Sequence, residues 1–295
     1  MRAPGSPRTD GLTSIVMVAA DSGPLLARSV DAALASDAPI ELILLDNAST
    51  DGAFDAVAAD RAGDPRVRFV RNESNIGFGP ACNRGARLAN GDVLLFLNPD
   101  CELRRDTIAG LRVVLAGNHD IGIAGVNVLD ADGCPARGNR RRDPTLRRAV
   151  MAMTGLSRFE RRWPALAGVE MPPCGNASEV EDVEAVSGAC LAMPRAVFVS
   201  VGGFDEGYFL HVEDLDLCRR VRDAGFRVVF VPYLDVTHAQ GGSSRHRALF
   251  VERHKQDGMW RYFMRFDPAA RNRLVRVAVR AALAMRGVLL RLRLH

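Results

Sequence analysis

The chain has 295 residues, is 47% hydrophobic and 25% charged, and carries a formal net charge of +4. These proportions suit a folded protein with a sizeable core and exclude global disorder. The positive charge is almost wholly arginine, Lys255 being the one lysine, and it gathers at Arg137 to Arg148 and again from Arg271 onward. That clustering predicts anionic partners at two places and no nucleic-acid binding.

Residues 1–12 are polar and rich in Gly and Pro, which reads as a flexible N-terminus. The apolar run that follows, Ile15 to Ala20, is too short for a signal peptide or a membrane span, so a cytoplasmic protein is expected. Ser14 to Ala19 has the β-branched, unbroken apolar character of a buried parallel strand. Ser22 to Leu34 has helical spacing, with Ser22 as the expected cap. Strands at Glu41 to Leu45, Val67 to Val70 and Val93 to Leu97 then alternate with helices at Asp51 to Ala59, Pro80 to Ala89 and about Arg105 to Ala116. Such alternation predicts an α/β fold whose mostly parallel sheet is flanked by helices and binds ligands at the carboxyl ends of its strands.

The pattern changes near Ile121. Ile121 to Val128 reads as a strand, with a turn at Asp130-Ala131-Asp132-Gly133. Residues 137–180 have weak periodicity, many arginines and several prolines, which predicts loops and short helices. Val183 to Met193 and Phe226 to Val231 read as strands, and Glu213 to Ala224 as a helix stopped by Gly225. The organisation expected is a catalytic domain over 13–250, divided into halves at 13–120 and 121–250, with a basic helical extension over 251–295. The six cysteines (Cys82, Cys101, Cys134, Cys174, Cys190, Cys218) show no C-x-x-C or zinc spacing and read as reduced and mostly buried.

Four polar clusters follow predicted strands. Asp46-Asn47-Ala48-Ser49-Thr50-Asp51-Gly52 reads either as a helix-capping turn or as a site where the Asp46 carboxylate accepts a pyrimidine N–H. Asn75 to Gly85 places glycines before a helix, suited to a simple turn or to an anion. Asn98-Pro99-Asp100 ends the most apolar strand; Asp100 is a hard oxygen ligand for Mg²⁺ or Mn²⁺ with diphosphate oxygens completing the shell, or else a helix cap. His211 to Cys218 holds Glu213, Asp214 and Asp216. Glu213 or Asp214 suits a general base for a sugar hydroxyl, while acidic residues in a first helical turn are the plain alternative. His238 stands after a strand, where a metal ligand could stand.

In order, the segments DNASTDG (46–52), NIGFGPACNRG (75–85), LLFLNPD (94–100), VSGACLAMPR (186–195), GGFDEGYFLHVEDLDLC (202–218) and H-x-x-G-G-S-S (238–244) resemble the inverting family-2 glycosyltransferases of the GT-A fold, in particular their rhamnosyltransferase-like branch. The resemblance implies a nucleoside diphosphate sugar donor, with dTDP-rhamnose as the expected one, and a saccharide or lipid-linked saccharide acceptor of the cell envelope. It implies donor binding by Asp46, Asn75, Asn83 and Asp100, a divalent metal (Mg²⁺ or Mn²⁺) on Asp100 and His238, and catalysis by Asp214 with Glu213 beside it. Two positions depart from the pattern. Ala19-Ala20-Asp21 replaces the usual Asn-Tyr-Asn, which removes a nucleotide contact, and Asn98 replaces the first acid of the metal motif. The first departure keeps open a non-catalytic binding relative. A sugar nucleotidyltransferase is disfavoured because no glycine- and lysine-rich loop follows the first strand. The C-terminal segment reads as an amphipathic basic helix, either packed on the protein or in peripheral contact with the inner face of the cytoplasmic membrane.

Overall fold

A computed structural model describes residues 9–172, 178–238 and 248–294. The first half runs β1 (Thr9–Ala19), α1 (Leu25–Leu34), β2 (Ile40–Asp46), α2 (Ala53–Asp60), β3 (Val67–Arg71), α3 (Phe78–Leu88), β4 (Gly91–Leu97), β5 (Cys101–Leu103) and α4 (Thr107–Gly117). The second runs β6 (Ile121–Leu129), β7 (Arg140–Arg141), α5 (Leu146–Met153), β8 (Glu181–Asp182), β9 (Ala185–Val186), β10 (Cys190–Pro194), α6 (Arg195–Ser200), α7 (Glu213–Asp223), β11 (Arg227–His238), α8 (Ala248–Phe266) and α9 (Arg273–Leu294).

Among the described residues, the main sheet has the order β3-β2-β1-β4-β10-β6-β11-β5, with β8 against β11. The first four strands are parallel, β10 runs antiparallel between β4 and β6, and β6 and β11 are parallel. Helices cover both faces, which is why the middles of β1, β2 and β4 are unbroken apolar runs, whereas the edge strand β3 carries Arg68 and Arg71. Alternate residues feed separate cores: Ile15, Met17, Leu42 and Leu44 pack with α1 and α4, and Val16, Val18, Ile43 and Leu45 with α3, α6 and α7. Leu94 through Leu97 are wholly buried. Each such side chain contributes about 1.5–3 kcal/mol by leaving water, so the strand that carries Asn98-Pro99-Asp100 is rigidly seated.

Several expectations need correction. Ser22 does not cap α1: the helix begins after Pro24, and the Ser22 hydroxyl accepts instead from the Ala20 N–H at 3.3 Å. The stretch from Val183 to Met193 is not one strand. It breaks at Ser187-Gly188, so that β9 leaves to pair with β7 in a small second sheet while β10 enters the main one. Both destinations are buried, so an apolar run could not choose between them. The strand β5 was not foreseen; it pairs antiparallel with the end of β11. The latter continues through Pro232 to His238 with a register shift between Val231 and Asp235, as a bulge permits. The arginines of 137–148 are largely spent inside the chain and do not form an anion-binding patch. Arg140 pairs with Glu181, Arg141 with Asp214, Arg142 with Glu160 and Arg148 with Glu184. Cys82, Cys101, Cys190 and Cys218 are buried as expected, whereas Cys134 is exposed.

The C-terminal segment is helical as expected. Helix α8 seats Tyr262 in the core beside α7, and α9 folds back along α8. No helix among the described residues is long and apolar enough to cross a membrane.

Candidate active site

The polar clusters converge at the carboxyl ends of the central strands. Asn47, just beyond β2, donates to the Gly77 carbonyl at 3.1 Å and accepts from Asn72 at 2.6 Å. Gly77 has φ +90°, and a Cβ there would lie 2.7 Å from the Phe209 carbonyl, so only glycine lets this loop meet the 203–212 segment so closely. The Phe78 N–H donates to the same carbonyl at 2.8 Å. On the other side of the site, the Asn98 N–H donates to the Ala189 carbonyl at 2.8 Å and the Gly188 N–H donates to Asp214 Oδ2 at 2.9 Å. The turn 187–189 therefore joins the end of β4 to the start of α7.

Asp46 is almost fully buried. Its Oδ1 accepts from the Ser49 N–H at 2.8 Å, a local turn ahead of α2 that does not cap the helix, whose N-cap is Gly52 with no side-chain bond. Arg71 Nε lies 3.0 Å from its Oδ2, but that oxygen receives no aligned hydrogen bond. Asn75 is exposed and accepts from the Gly77 N–H at 3.0 Å. Asn83 is buried and engaged at both ends of its amide: Nδ2 donates to the Phe204 carbonyl at 2.9 Å, and Oδ1 accepts from the Phe204 N–H at 2.9 Å. Its side chain fixes the 203–206 loop, helped by Phe204 packing on Phe96 with ring centroids 4.9 Å apart.

Asp100 is not a helix cap. The residues after it form β5, and α4 starts only at Thr107. Pairing of Cys101 with His238 in the β5–β11 ladder brings the imidazole to the carboxylate, with His238 Nε2 2.9 Å from Asp100 Oδ1. That contact is a hydrogen bond, and its length also matches the separation of two adjacent ligands of an octahedral ion with bonds of about 2.1 Å. Carboxylate oxygen and imidazole nitrogen suit Mn²⁺ better than Mg²⁺. The Cys101 sulfur lies near both, but burial, reinforced by the Asp100 charge, pushes its thiol well up, so it stays protonated. The Gly241-Gly242-Ser243-Ser244 stretch lies outside the described residues.

The acidic cluster begins α7 after two strained residues, His211 (φ 66°) and Val212 (φ 73°). Left-handed backbone at a β-branched residue costs free energy and persists only where packing enforces it. Here Gly258 of α8 lies against both residues. Burial alone would raise the Asp214 pKa. The Arg141 guanidinium and hydrogen bonds from Arg141 and the Gly188 and Leu215 N–H groups hold it below the ordinary range. Glu213 is the opposite case: burial, then the Asp214 charge, pushes its carboxyl up, and its Oε2 has no partner. Asp216 is fully buried, 2.5 Å from Arg220 Nε and 3.1 Å from Arg265 NH1, and ties α7 to α8.

Sequence reasoning missed Arg141. It sits on a two-residue strand in the irregular region, and its role depends on β7 pairing with β9. The arginine cluster was the only available signal, and it pointed to an external anion.

The glycosyl transferase family 2 model matches residues 14–165. An N-acetylglucosaminyl-diphospho-decaprenol L-rhamnosyltransferase of Mycobacterium tuberculosis is 30% identical over 284 residues, covering 85% of this chain and 87% of that protein. The O-antigen biosynthesis protein RfbC of Myxococcus xanthus is 28% identical over 80% of this chain but only 18% of its own length. Among solved structures, the mannosyltransferase PcManGT of Pyrobaculum calidifontis, in complex with GDP-Man and Mn²⁺, superimposes with a TM-score of 0.59 at 17% identity, over 93% of this chain and 70% of that one. Staphylococcus aureus TarS with UDP-GlcNAc gives 0.61 at 13% identity, over 85% and 65%. These likenesses show a GT-A-type fold, and the family model together with the 30% identical relative shows that the chain belongs to glycosyltransferase family 2.

Proposed function

We propose that the protein transfers a hexose, with inversion, from a nucleoside diphosphate sugar to a hydroxyl of a lipid-linked saccharide, with Asp214 as the base. The observation that carries this reading is the Asp214 carboxylate, held ionised by Arg141 and the Gly188 N–H, one turn of chain away from the Asp100–His238 pair. A base must be deprotonated before the acceptor arrives, and this one is. The acceptor proton passes to Asp214 while the acceptor oxygen bonds to the anomeric carbon and the bond to the diphosphate breaks. Asp46, whose Oδ2 lies 3.0 Å from Arg71 Nε without an aligned hydrogen bond, would accept a base N–H. Asn75 shapes the glycine loop beside the donor, and Asn83 acts through the loop it holds. Asp100 and His238 would hold a divalent ion, which when bound neutralises charge on a leaving diphosphate.

The finer identity follows the M. tuberculosis relative, whose name specifies L-rhamnose and a lipid-linked N-acetylglucosaminyl acceptor. The same pair is proposed here, with dTDP-rhamnose as donor. The test is incubation with Mn²⁺, a polyprenyl-diphosphate N-acetylglucosamine analogue and, in turn, dTDP-rhamnose, GDP-mannose and UDP-N-acetylglucosamine, with products read by mass spectrometry and NMR. A deoxyhexose product of inverted configuration is expected. No transfer from any donor would overturn the enzyme reading, and retained configuration would overturn the mechanism.

A further inference from the structure

Among the described residues, the apolar side of helix α9 is covered over only part of its width. Val275, Val279, Ala282 and Leu283 are half-buried on the side that carries the contacts with α8. With about 3.6 residues per turn, Leu274, Val277, Ala278, Ala281, Ala284 and Met285 fill an adjoining arc of about 120°, and all six are exposed. Leu274 is 80% exposed, Val277 68% and Met285 61%. A soluble helix normally turns such a stripe inward, so a free one marks an interaction surface.

The borders of this arc say what covers it. Arg273 and Arg280, both exposed, line one edge. The Arg280 guanidinium lies 5.3 Å from the Trp260 ring centre, which holds its stem at the rim, whereas Arg286 lies on the side that faces α8 and pairs there with Glu252, its Nε 2.6 Å away. No aspartate or glutamate occurs between Pro268 and His295. An apolar stripe edged by arginines and free of acids matches a bilayer with anionic headgroups: the stripe enters the acyl boundary and the guanidinium groups reach phosphates. We infer that the outer face of α9 docks the protein on an anionic membrane surface.

The placement is apt for an enzyme working at that surface. The second half of α9 returns beside Glu252 and Gln256. On the same stretch of α8, His254 stacks on Phe209 at 4.4 Å and Gly258 lies against His211 and Val212. The docking face thus lies close to the segment that carries Glu213 and Asp214. The inference rests on exposure and charge, and it stands whether or not the sugar-transfer reading does.

The test is sedimentation of the full chain with phosphatidylglycerol-containing vesicles and with neutral phosphatidylcholine vesicles, at low and high salt. Donor hydrolysis and analytical ultracentrifugation are run on the same samples. Partition to the anionic vesicles is expected, weakened by salt and at least tenfold lower for the double variant Leu274→Glu, Val277→Glu, with hydrolysis unchanged. Ala281→Glu, also at an exposed position, gives an independent check should the double variant fail to fold. Three results would overturn the inference: a full chain left in the supernatant at low salt, variants that sediment as well as the native chain, or a native dimer that the variants split without any vesicle binding. Equal binding to neutral vesicles would overturn the role of the arginine borders. Lack of donor hydrolysis alone counts against the proposed function and leaves the sedimentation result standing.

Discussion

Asp100 with His238, and Asp214 with Arg141, are linked through the turn 187–189 and are built in opposite ways. Asp100 and His238 are partly exposed, stand just before β5 and at the end of β11, and meet in one 2.9 Å contact. Asp214 is buried under three donors supplied by β7, the turn and its own helix. The difference separates two kinds of preparation. A carboxylate that must take up an ion needs open lone pairs, and rigid saturation with protein donors would compete with the ion. A carboxylate that must accept a proton at the right moment needs a fixed charge and a fixed direction, and the donors that supply these also keep it ionised.

The largest break in this comparison is expected from Asp214→Asn, which keeps the shape and removes the basicity. Turnover should fall by about 10²-fold or more, with donor affinity by titration calorimetry nearly unchanged. Near-native turnover would move the base role elsewhere.

Arg141→Gln should come next. It leaves Asp214 buried without its cation, and loss of one partner of a buried pair typically costs about 3–5 kcal/mol. The native Asp214 pKa is depressed, so its stabilising contribution is full above the unfolded value, near pH 4, and is lost as pH falls through the folded value. In the variant, burial dominates and drives the pKa upward. The acid limb of the rate profile should therefore move to higher pH, with activity partly recovered by raising the pH. A profile of native shape and lower height would show that Arg141 only supports the fold.

Asp100→Ala should act on binding and spare the base. Donor affinity measured with Mn²⁺ should fall at least tenfold, in the range reported for losses around metal ligands, about 10–100-fold, while metal-free nucleoside binding stays near native. His238→Ala should do the same more weakly. Equal donor affinity in the native protein with and without Mn²⁺ would remove the metal from the account.

The two corners were also unequally legible in the sequence. Asp100 could be read because it ends a run, Val93 to Leu97, whose burial is a local property. Its partner His238 could be suspected from its position after a strand, but the strand β5 that brings the pair together is three residues long and has no periodicity to detect. The Glu213-Asp214 pair stood out as charge in an apolar setting, whereas the sorting of the two carboxyls depends on Arg141, 73 residues upstream on β7. Contacts of that kind leave no local pattern. The same reason explains the break between β9 and β10, where an apolar run feeds two different sheets. The parallel strands β1 to β4 and the helices between them were readable because each β–α unit there buries its own alternating faces.

Glu213 supplies the smallest and sharpest test. It lies next to Asp214, yet none of the donors that hold its neighbour reaches its Oε2. Burial and the neighbouring charge raise it, to about 8, so near neutral pH it is mostly a neutral acid. Gln is close in shape to that neutral form. Glu213→Gln should therefore change turnover by less than a few fold at neutral pH, well under the loss expected from removing a general base. Its effect should appear in stability. A carboxyl whose pKa rises on folding holds its proton more tightly in the folded state, so the native protein loses stability as pH climbs from the unfolded value, about 4.3, through the folded one. The variant escapes that loss. Its melting temperature relative to the native chain should be flat below about pH 4 and should climb steadily toward pH 8. A turnover loss comparable to that of Asp214→Asn, with no pH-dependent gain in melting temperature, would exchange the roles of the two carboxyls and leave Arg141 holding a spectator.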